Sequence, residues 1–417
     1  MDRALLEDLF RAAVAAADPG RAVAAHLPPK PRGRTVVVGA GKASAQMAAA
    51  FERHWGEPVG GLVVTRYGYG VPTSRIEIVE ASHPVPDEAG YLAARRIMSS
   101  VHGLGPDDLV VALISGGGSA LLPAPGAGMS FDDEQEVTRI LLASGLPISV
   151  MNQVRNELSA IKGGRLAALA APARVATLIV SDVAGDDPAL VASGPTVPIA
   201  GSRAEVRHLL ALHGVTLPPA ATALLASADN PAPRPDDPRF ASNSVTIVAS
   251  SALSLEAAAS LGRQRGLNSH ILSDAIEGEA RDVAQVLAAL SKEVDLRDRP
   301  FRRPALLLSG GETTVTVRGK GKGGRNSEFL LSFALAIEGV DGISALAADT
   351  DGIDGSEDNA GAVADGTTCA RMRQAGIDPR AALAGNDAYT AFKAIDALVV
   401  TGPTGTNVND FRAILIR

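Results

Sequence analysis

Residues 35–55 read TVVVGAGKASAQMAAAFERHW. TVVV is a short unbroken apolar run, as a strand buried on both faces of a parallel sheet requires. GAGKAS turns the chain, and SAQMAAAFERHW then spaces its apolar residues as a helix does. The same device recurs downstream. GLVVTR (61–66) and IEIVEA (76–81) read as strands, and 87–101 reads as a helix. LVVALI (109–114) enters SGGGSALL, helical spacing covers 131–144 and 149–170, and RVATLIVSDV (174–183) is a further strand. This alternation predicts an α/β domain with a mostly parallel sheet.

The second half repeats the pattern. SVTIVAS (244–250), SHILSD (269–274) and PALLLSGGE (304–312) read as strands, and TTVTVRG (313–319) alternates as an antiparallel strand does. KGKGGRN opens the helix SEFLLSFALAI, GISALAADTDG (342–352) ends in carboxylates, and ALVVTGPTGTNVND (397–410) ends in a polar loop. A mixed sheet follows. Between the halves, DNPAPRPDDPRFA (229–241) holds four prolines and no apolar period, which places a linker there. The expected domains are 1–235 and 240–417. The chain's start carries Leu5, Leu6, Leu9 and Ala13 at helical spacing among acids, so it reads as an amphipathic helix and not as a signal peptide.

Composition narrows the function. The chain has 417 residues, a net charge of −7 and one cysteine. Mild acidity argues against a nucleic-acid partner. A single cysteine excludes a disulfide framework or a cysteine-rich cluster. No apolar run reaches the roughly 18 residues of a membrane span. A cytoplasmic enzyme, either monomer or homodimer, is the expectation. Among the basic residues only seven are lysines, and Lys42, Lys162, Lys320 and Lys322 lie in or beside glycine-rich stretches.

In open α/β sheets ligands bind at the carboxyl ends of strands, which is where GAGKAS, SGGGSA, SDVAGDD, SGGE and ADTDGIDG stand. Gly39, Gly41 and Lys42 come near the dinucleotide fingerprint, but Ser44 occupies its third glycine position. The next strand ends in Thr65-Arg66, without the acid that NAD expects, although Arg66 suits a 2′-phosphate and leaves NADP open. Ser115, Gly116, Gly117, Gly118 and Ser119 form a better phosphate loop, because successive glycines let backbone amides surround an anion. Arg155 and Lys162, seven apart on one expected helix, share a face that suits an anionic substrate. Asp182, Asp186 and Asp187 form one acidic group, and Asp349, Asp351 and Asp354 another. Either suits Mg²⁺, and either suits capping and turn chemistry. Arg325 follows Lys320 and Lys322 and is placed to clamp phosphate or carboxylate oxygens, with Glu328 one turn on to orient it. His83 in SHPVPD suits a base or a structural or exposed loop position, and Cys369 reads as a core residue.

GAGKAS, SHPVPD, LISGGGSALL, NQVRNELSAIKGGRLA, SDVAGDDPALVASGPT, LSGGETTVTVRGKGKGGRNSEF, ADTDGIDG and TGPTGTNVND occur in this order along nearly the whole chain. Together they resemble the glycerate 2-kinase family with its C-terminal MOFRL domain, whose members have often carried the label hydroxypyruvate reductase. The resemblance implies ATP- and Mg²⁺-dependent phosphorylation of D-glycerate to 2-phosphoglycerate. It also implies a Rossmann-like N-terminal domain, a smaller α/β C-terminal domain and an active site in the cleft between them. Activity in that family involves the lysine and arginine that fall on Lys42 and Arg325. The resulting expectation assigns Lys42, Arg325 and Asp186 to catalysis. The loops with Gly39, Gly41 and Ser115–Ser119 take nucleotide phosphates. Arg155, Lys162, Glu312 and Asn326 take substrate, and Asp182, Asp187, Asp349 and Asp351 take metal. The rival is an NAD(P)H-dependent hydroxypyruvate reductase.

Overall fold

A computed structural model describes residues 2–229 and 231–417; Asn230 of the expected linker and Met1 lie outside the described residues. The chain forms two compact units, Pro19–Val248 and a second built from the N-terminal segment through Asp18 together with Ala249–Arg417.

The first unit holds β1 (Thr35–Ala40), β2 (Gly60–Arg66), β3 (Ile76–Ala81), β4 (Leu109–Ser115), β5 (Arg174–Val180) and β6 (Ser244–Ala249). They make one parallel sheet in the order β3-β2-β1-β4-β5-β6. All seven residues of β4 are buried, which is why its run carries no polar alternation. On one side the helix Ser44–Trp55 buries Ala45, Met47, Ala48, Phe51 and Trp55. The helix Glu88–Val101 starts where the Asp87 side chain accepts from the Gly90 amide at 3.0 Å, an ordinary N-cap. Helices Phe131–Ala143, Ile148–Leu158, Arg203–Leu212 and Pro219–Ala226 gather a separate small core around Val137, Leu141, Leu158, Leu210 and Leu224.

The second unit holds β7 (Asn268–Ser273), β8 (Gly278–Glu279), β9 (Ala305–Ser309), β10 (Thr313–Thr314), β11 (Ile343–Asp349), β12 (Gly361–Asp365), β13 (Leu398–Val399) and β14 (Asp410–Ile416). Its six-stranded sheet runs β13-β12-β11-β14-β9-β7, antiparallel except for the β7–β9 pair, so it is mixed as expected. Side chains alternate between its faces. Leu307, Ala345, Ala347, Ile414 and Ile416 face a core with Leu287, Phe329 and Phe333 from the helices Ala280–Arg297 and Arg325–Ala336. Leu306, Leu308, Leu346, Phe411 and Leu415 face Leu6, Leu9 and Phe10 from the helix Asp2–Ala16, with Leu255 and Ala259 from Ser251–Gln264.

Four expectations change. The N-terminal helix belongs to the second unit, not to a domain 1–235, because its apolar stripe covers a sheet face. The Phe10 ring lies tilted against Phe411, centroids 5.7 Å apart, and Thr406 Oγ1 donates to the Ala17 carbonyl at 2.6 Å. The proline-rich stretch is not the boundary either: β6 follows it and completes the first sheet before the chain crosses at Val248. TTVTVRG is a strand only at Thr313–Thr314, and it pairs in parallel with β8. The single helix expected over 149–170 is two helices, Ile148–Leu158 and Arg165–Ala170, broken by Gly163 and Gly164 at φ of +60° and +81°.

Phe10→Ala removes one of the ring partners that close the second sheet's face. Such truncations cost about 3–5 kcal/mol. The expected result is a lower unfolding midpoint with hydrogen-exchange protection lost in β11 and β14 and kept in β1 and β4. Uniform loss over both sheets would contradict the assignment of this helix.

Candidate active site

In the first unit the strand order reverses between β1 and β4, the place where doubly wound sheets open a crevice. GAGKAS leaves β1 there and SGGGS leaves β4. The two loops are stitched together. Lys42 N donates to the Gly116 carbonyl at 2.9 Å, Ala43 N to Ser115 Oγ at 3.0 Å, and the Ser44 and Ser115 hydroxyls are 3.1 Å apart. Ser115 is buried, so its hydroxyl holds the loops in register and is not turned to a ligand. Gly39 serves the strand: a Cβ there would stand 2.3 Å from the Leu113 carbonyl oxygen. Gly41, at φ +142°, would place one 2.1 Å from Ser115 Oγ.

The glycines of the second loop admit functional neighbours. A Cβ on Gly116 would lie 1.8 Å from Asp182 Oδ2, so Asp182 rests over the loop. A Cβ on Gly117 would lie 3.0 Å from His83 Nε2 and 3.3 Å from Lys42 Cγ. His83 and Lys42 therefore approach the same loop residue from two sides. Gly118 takes Ala192 against it, and Ser119 Oγ lies 2.8 Å from Ser193 Oγ.

Beside this loop is a cavity of about 250 Å³ lined by His83, Gly117, Ser119, Glu134, Arg155 and Lys162, among others. Arg155 and Lys162 meet there, but not along one helix face. Arg155 is on the helix Ile148–Leu158 and Lys162 is in the break after it. Lys162 is only 4% exposed and reaches Glu134 Oε1 at 3.3 Å, while Glu134 Oε2 has no hydrogen-bond partner. Burial lowers the proton affinity of Arg155, against the pull of Glu134. Burial, then Lys42 and Arg66, push His83 down to about 4 from 6.5, so its imidazole is neutral near pH 7. Arg165, from the same sequence stretch, turns away into a buried group with Glu157 and Arg203 and donates to the Asn156 carbonyl at 2.5 Å. The acids after β5 do not line the cavity. Asp186 sits in a turn at φ +54°, and Asp187 Oδ1 accepts from Ala189 N at 2.9 Å.

The second unit centres on Arg325, the first residue of its helix. Nε donates to Asp410 Oδ1 at 2.6 Å, Nη1 to Glu312 at 3.1 Å and Nη2 to Asp349 at 2.7 Å. Asn326 Nδ2 shares Asp410 Oδ1 at 2.8 Å. Asp410 Oδ2 accepts from Thr313 and from Arg412, which is wholly buried within β14. Burial would lower the proton affinity of Arg325, but Asp410, Asp349 and Glu312 reverse that and raise it. Burial works against ionised Asp410, yet Arg412 and Arg325 hold its pKa below the usual value. Asp349 is pushed well above it by burial, with Asp351 and Asp410 adding and Arg325 opposing. Glu312 and Asp349 thus bond Arg325, Asn326 shares Asp410 with it, and Asp351 N donates to Asp349. Asp410 and Arg412 were not anticipated. Their signal was a charged pair opening and interrupting the apolar run DFRAILI (410–416). Glu328 does not orient Arg325: it accepts from Arg281 at 2.6 Å and from Asn386 at 2.8 Å.

A sequence profile described as "Domain of unknown function (DUF4147)" matches residues 5–226, and the MOFRL family profile matches 305–410. Over 406 residues the chain is 39% identical to the D-glycerate 2-kinase of Thermotoga maritima, covering 97% of this chain and 95% of that one. The chain belongs to the glycerate kinase family with a C-terminal MOFRL domain. The crystal structure of a glycerate kinase from Thermotoga maritima matches at TM-score 0.92 and 38% identity over 99% of both chains. An Agrobacterium vitis protein is 54% identical over 99% of this chain and 94% of its own, and it carries the name hydroxypyruvate reductase.

A family kinase raises the question of metal. Among the described residues no group of three or more His, Cys, Asp or Glu is placed to hold an ion. Asp349 has one oxygen on Arg325 and the other on Asp351 N at 3.1 Å. Asp351 spends Oδ1 on Ile353 N at 2.8 Å. Fully buried Asp354 takes the Asn326 and Ser327 amides at 2.9 and 2.8 Å, so it caps the Arg325 helix. These bonds favour the turn and capping reading of 349–354 over a preformed metal cage.

Two outcomes follow. Asp410→Asn leaves Arg412 buried and short of its countercharge. Breaking such a pair typically costs about 3–5 kcal/mol, so the denaturation midpoint should fall far more than for a surface pair such as Arg96–Glu77 (Glu77→Gln). For His83 the unfolded chain takes a proton near 6.5 and the native site only near 4. The histidine's stabilising share is therefore full above 6.5 and lost as pH falls towards 4. His83→Gln should flatten the decline of the melting temperature with acid across that window, and an unchanged slope would refute the shift.

Proposed function

We propose that the protein transfers the γ-phosphoryl group of ATP to the 2-hydroxyl of D-glycerate. The observation that carries this reading is the cavity beside the glycine loop. Its lining brings two cations, Arg155 and Lys162, together with Ser119 and His83, and Lys42 approaches the same Gly117 that His83 does. Phosphoryl transfer needs chiefly positioning and charge neutralisation. In this reading Arg155 and Lys162 hold the carboxylate, and the Gly116–Ser119 amides and hydroxyl take nucleotide phosphates. Lys42 meets charge developing on the transferred group. Neutral His83, at the loop itself, is better placed than Asp186 to receive the hydroxyl proton. Arg325 comes from the other unit. Three of its five N–H groups are held by carboxylates, and the remaining two suit phosphate or carboxylate oxygens. Mg²⁺ enters as part of the metal–nucleotide substrate and neutralises phosphate charge. Asp182, over Gly116, is the carboxylate with which it would share the phosphates.

The reductase reading draws support from the name of the Agrobacterium relative. The loop speaks against it. Ser44 stands where the fingerprint needs a third glycine, buried against Ser115, and β2 ends in Thr65-Arg66 with no acid for a ribose.

The deciding assay offers D-glycerate with ATP and Mg²⁺, and separately hydroxypyruvate with NADH or NADPH. ADP and a 2-phosphomonoester are expected in the first, with no nucleotide oxidation in the second. Lys42→Ala should lower turnover by about 10²-fold or more with an unchanged melting temperature. Near-normal turnover in that variant would remove Lys42 from the mechanism.

A further inference from the structure

The segment after β5 contains a costly piece of backbone that the mechanism has not used. Ala192, Ser193 and Gly194 have φ of +52°, +60° and +55°, three left-handed residues in succession. Glycine enters that region freely, but Ala and Ser do so only at a cost. Both are buried, so the turn does not owe its shape to free loop mobility.

Its hydrogen bonds reach two sides of the cavity. Ser193 Oγ lies 2.8 Å from Ser119 Oγ, at the end of the glycine loop. The Ser193, Gly194 and Pro195 carbonyls accept from Gly163 N at 3.1 Å, Gly164 N at 2.7 Å and Leu166 N at 3.0 Å. The first two amides belong to the break that carries Lys162, and Leu166 to the first turn of the helix after it. A Cβ on Gly118 would come within 2.7 Å of the Ala192 methyl, so the turn also fits closely under the loop. One strained turn thus joins Ser119 to the Lys162 turn. Strain of this kind persists only where the surroundings enforce it, and it concentrates at functional sites.

We propose that Ser193 is a positioning residue for phosphoryl transfer. The turn Ala192–Gly194 fixes the separation of Ser119 and Lys162 across the cavity, and the Ser193 hydroxyl sets the rotamer of Ser119. With Ser193 donating, Ser119 keeps its own proton for a substrate oxygen. This inference rests on the kinase reading of the cavity.

The test uses the full chain and three proteins: wild type, Ser193→Ala and Ala192→Gly. Turnover and KM for D-glycerate and ATP are measured beside the melting temperature. Ser193→Ala keeps the backbone and loses the hydroxyl. Turnover should fall about 10-fold or more, with both KM values and the melting temperature nearly unchanged. Ala192→Gly keeps every hydroxyl and relieves the left-handed cost. It should melt higher than wild type and still turn over several-fold more slowly, because the turn no longer enforces the spacing. A merely structural turn would give the opposite pairing, with full turnover in every variant that folds. Should Ser193→Ala fail to fold, Ala192→Gly decides alone. Inactive wild type with ATP and D-glycerate would overturn the kinase reading and this inference with it. Active wild type with unchanged turnover in the folded variants would overturn only the role of Ser193.

Discussion

Neighbouring parallel strands β1 and β4 mark the point where the sheet order reverses, and the geometry of the first unit's site follows from it. Two glycine loops must leave adjacent strand ends without colliding. Ser115 resolves this by accepting from Ala43 N and meeting the Ser44 hydroxyl. The loops then present Lys42 and Gly117 at fixed separation, and His83 closes the third side. Buried hydroxyl pairs of this kind contribute only about 1 kcal/mol each to stability. Their larger effect is to remove alternative loop conformations.

The second unit uses charge where the first uses hydroxyls. Arg325, Arg412, Asp410 and Asp349 share a largely buried neighbourhood beside the sheet, with exposed Glu312 at its edge. Burying such ions is expensive, and apolar replacements of the whole group are often no less stable. Stability alone does not explain the group, whereas orientation does. Asp410 bonds Arg325 on one oxygen and Arg412 on the other, so the guanidinium of Arg325 has one plane available to it. Exposed pairs elsewhere, such as Arg139–Glu136, contribute about 0–1 kcal/mol and define nothing comparable.

What the sequence made legible was local. β4 announced itself as an apolar run, and the helix Glu88–Val101 carried its own Asp87 cap. Lys42, Lys162 and Arg325 stood out because they lie at or beside glycine turns, and Arg155 because it stands seven residues before Lys162. What remained hidden depended on partners far along the chain. The N-terminal helix looked like the start of the first domain because nothing local says that Phe10 will meet Phe411. TTVTVRG alternated properly, yet past Thr314 it has no strand beside it. Two glycines at positive φ outweighed helical spacing across 149–170. Glu328 stood one turn from Arg325, but Arg281 and Asn386 claimed it first.

The cavity's charge and size bear on which substrate it takes. Arg155 and Lys162 face one carboxylate, Glu134, while His83 stays neutral, which leaves an excess of one positive charge. A single carboxylate group balances that excess; a triphosphate would overshoot it. The volume of about 250 Å³ is ample for a three-carbon acid. In the proposed reaction the small acid therefore occupies the enclosed space, and the nucleotide lies along the open side of the Gly116–Ser119 loop. In that reading Lys42 is near both, because the loop that carries it is tied to the glycine loop through Ser115.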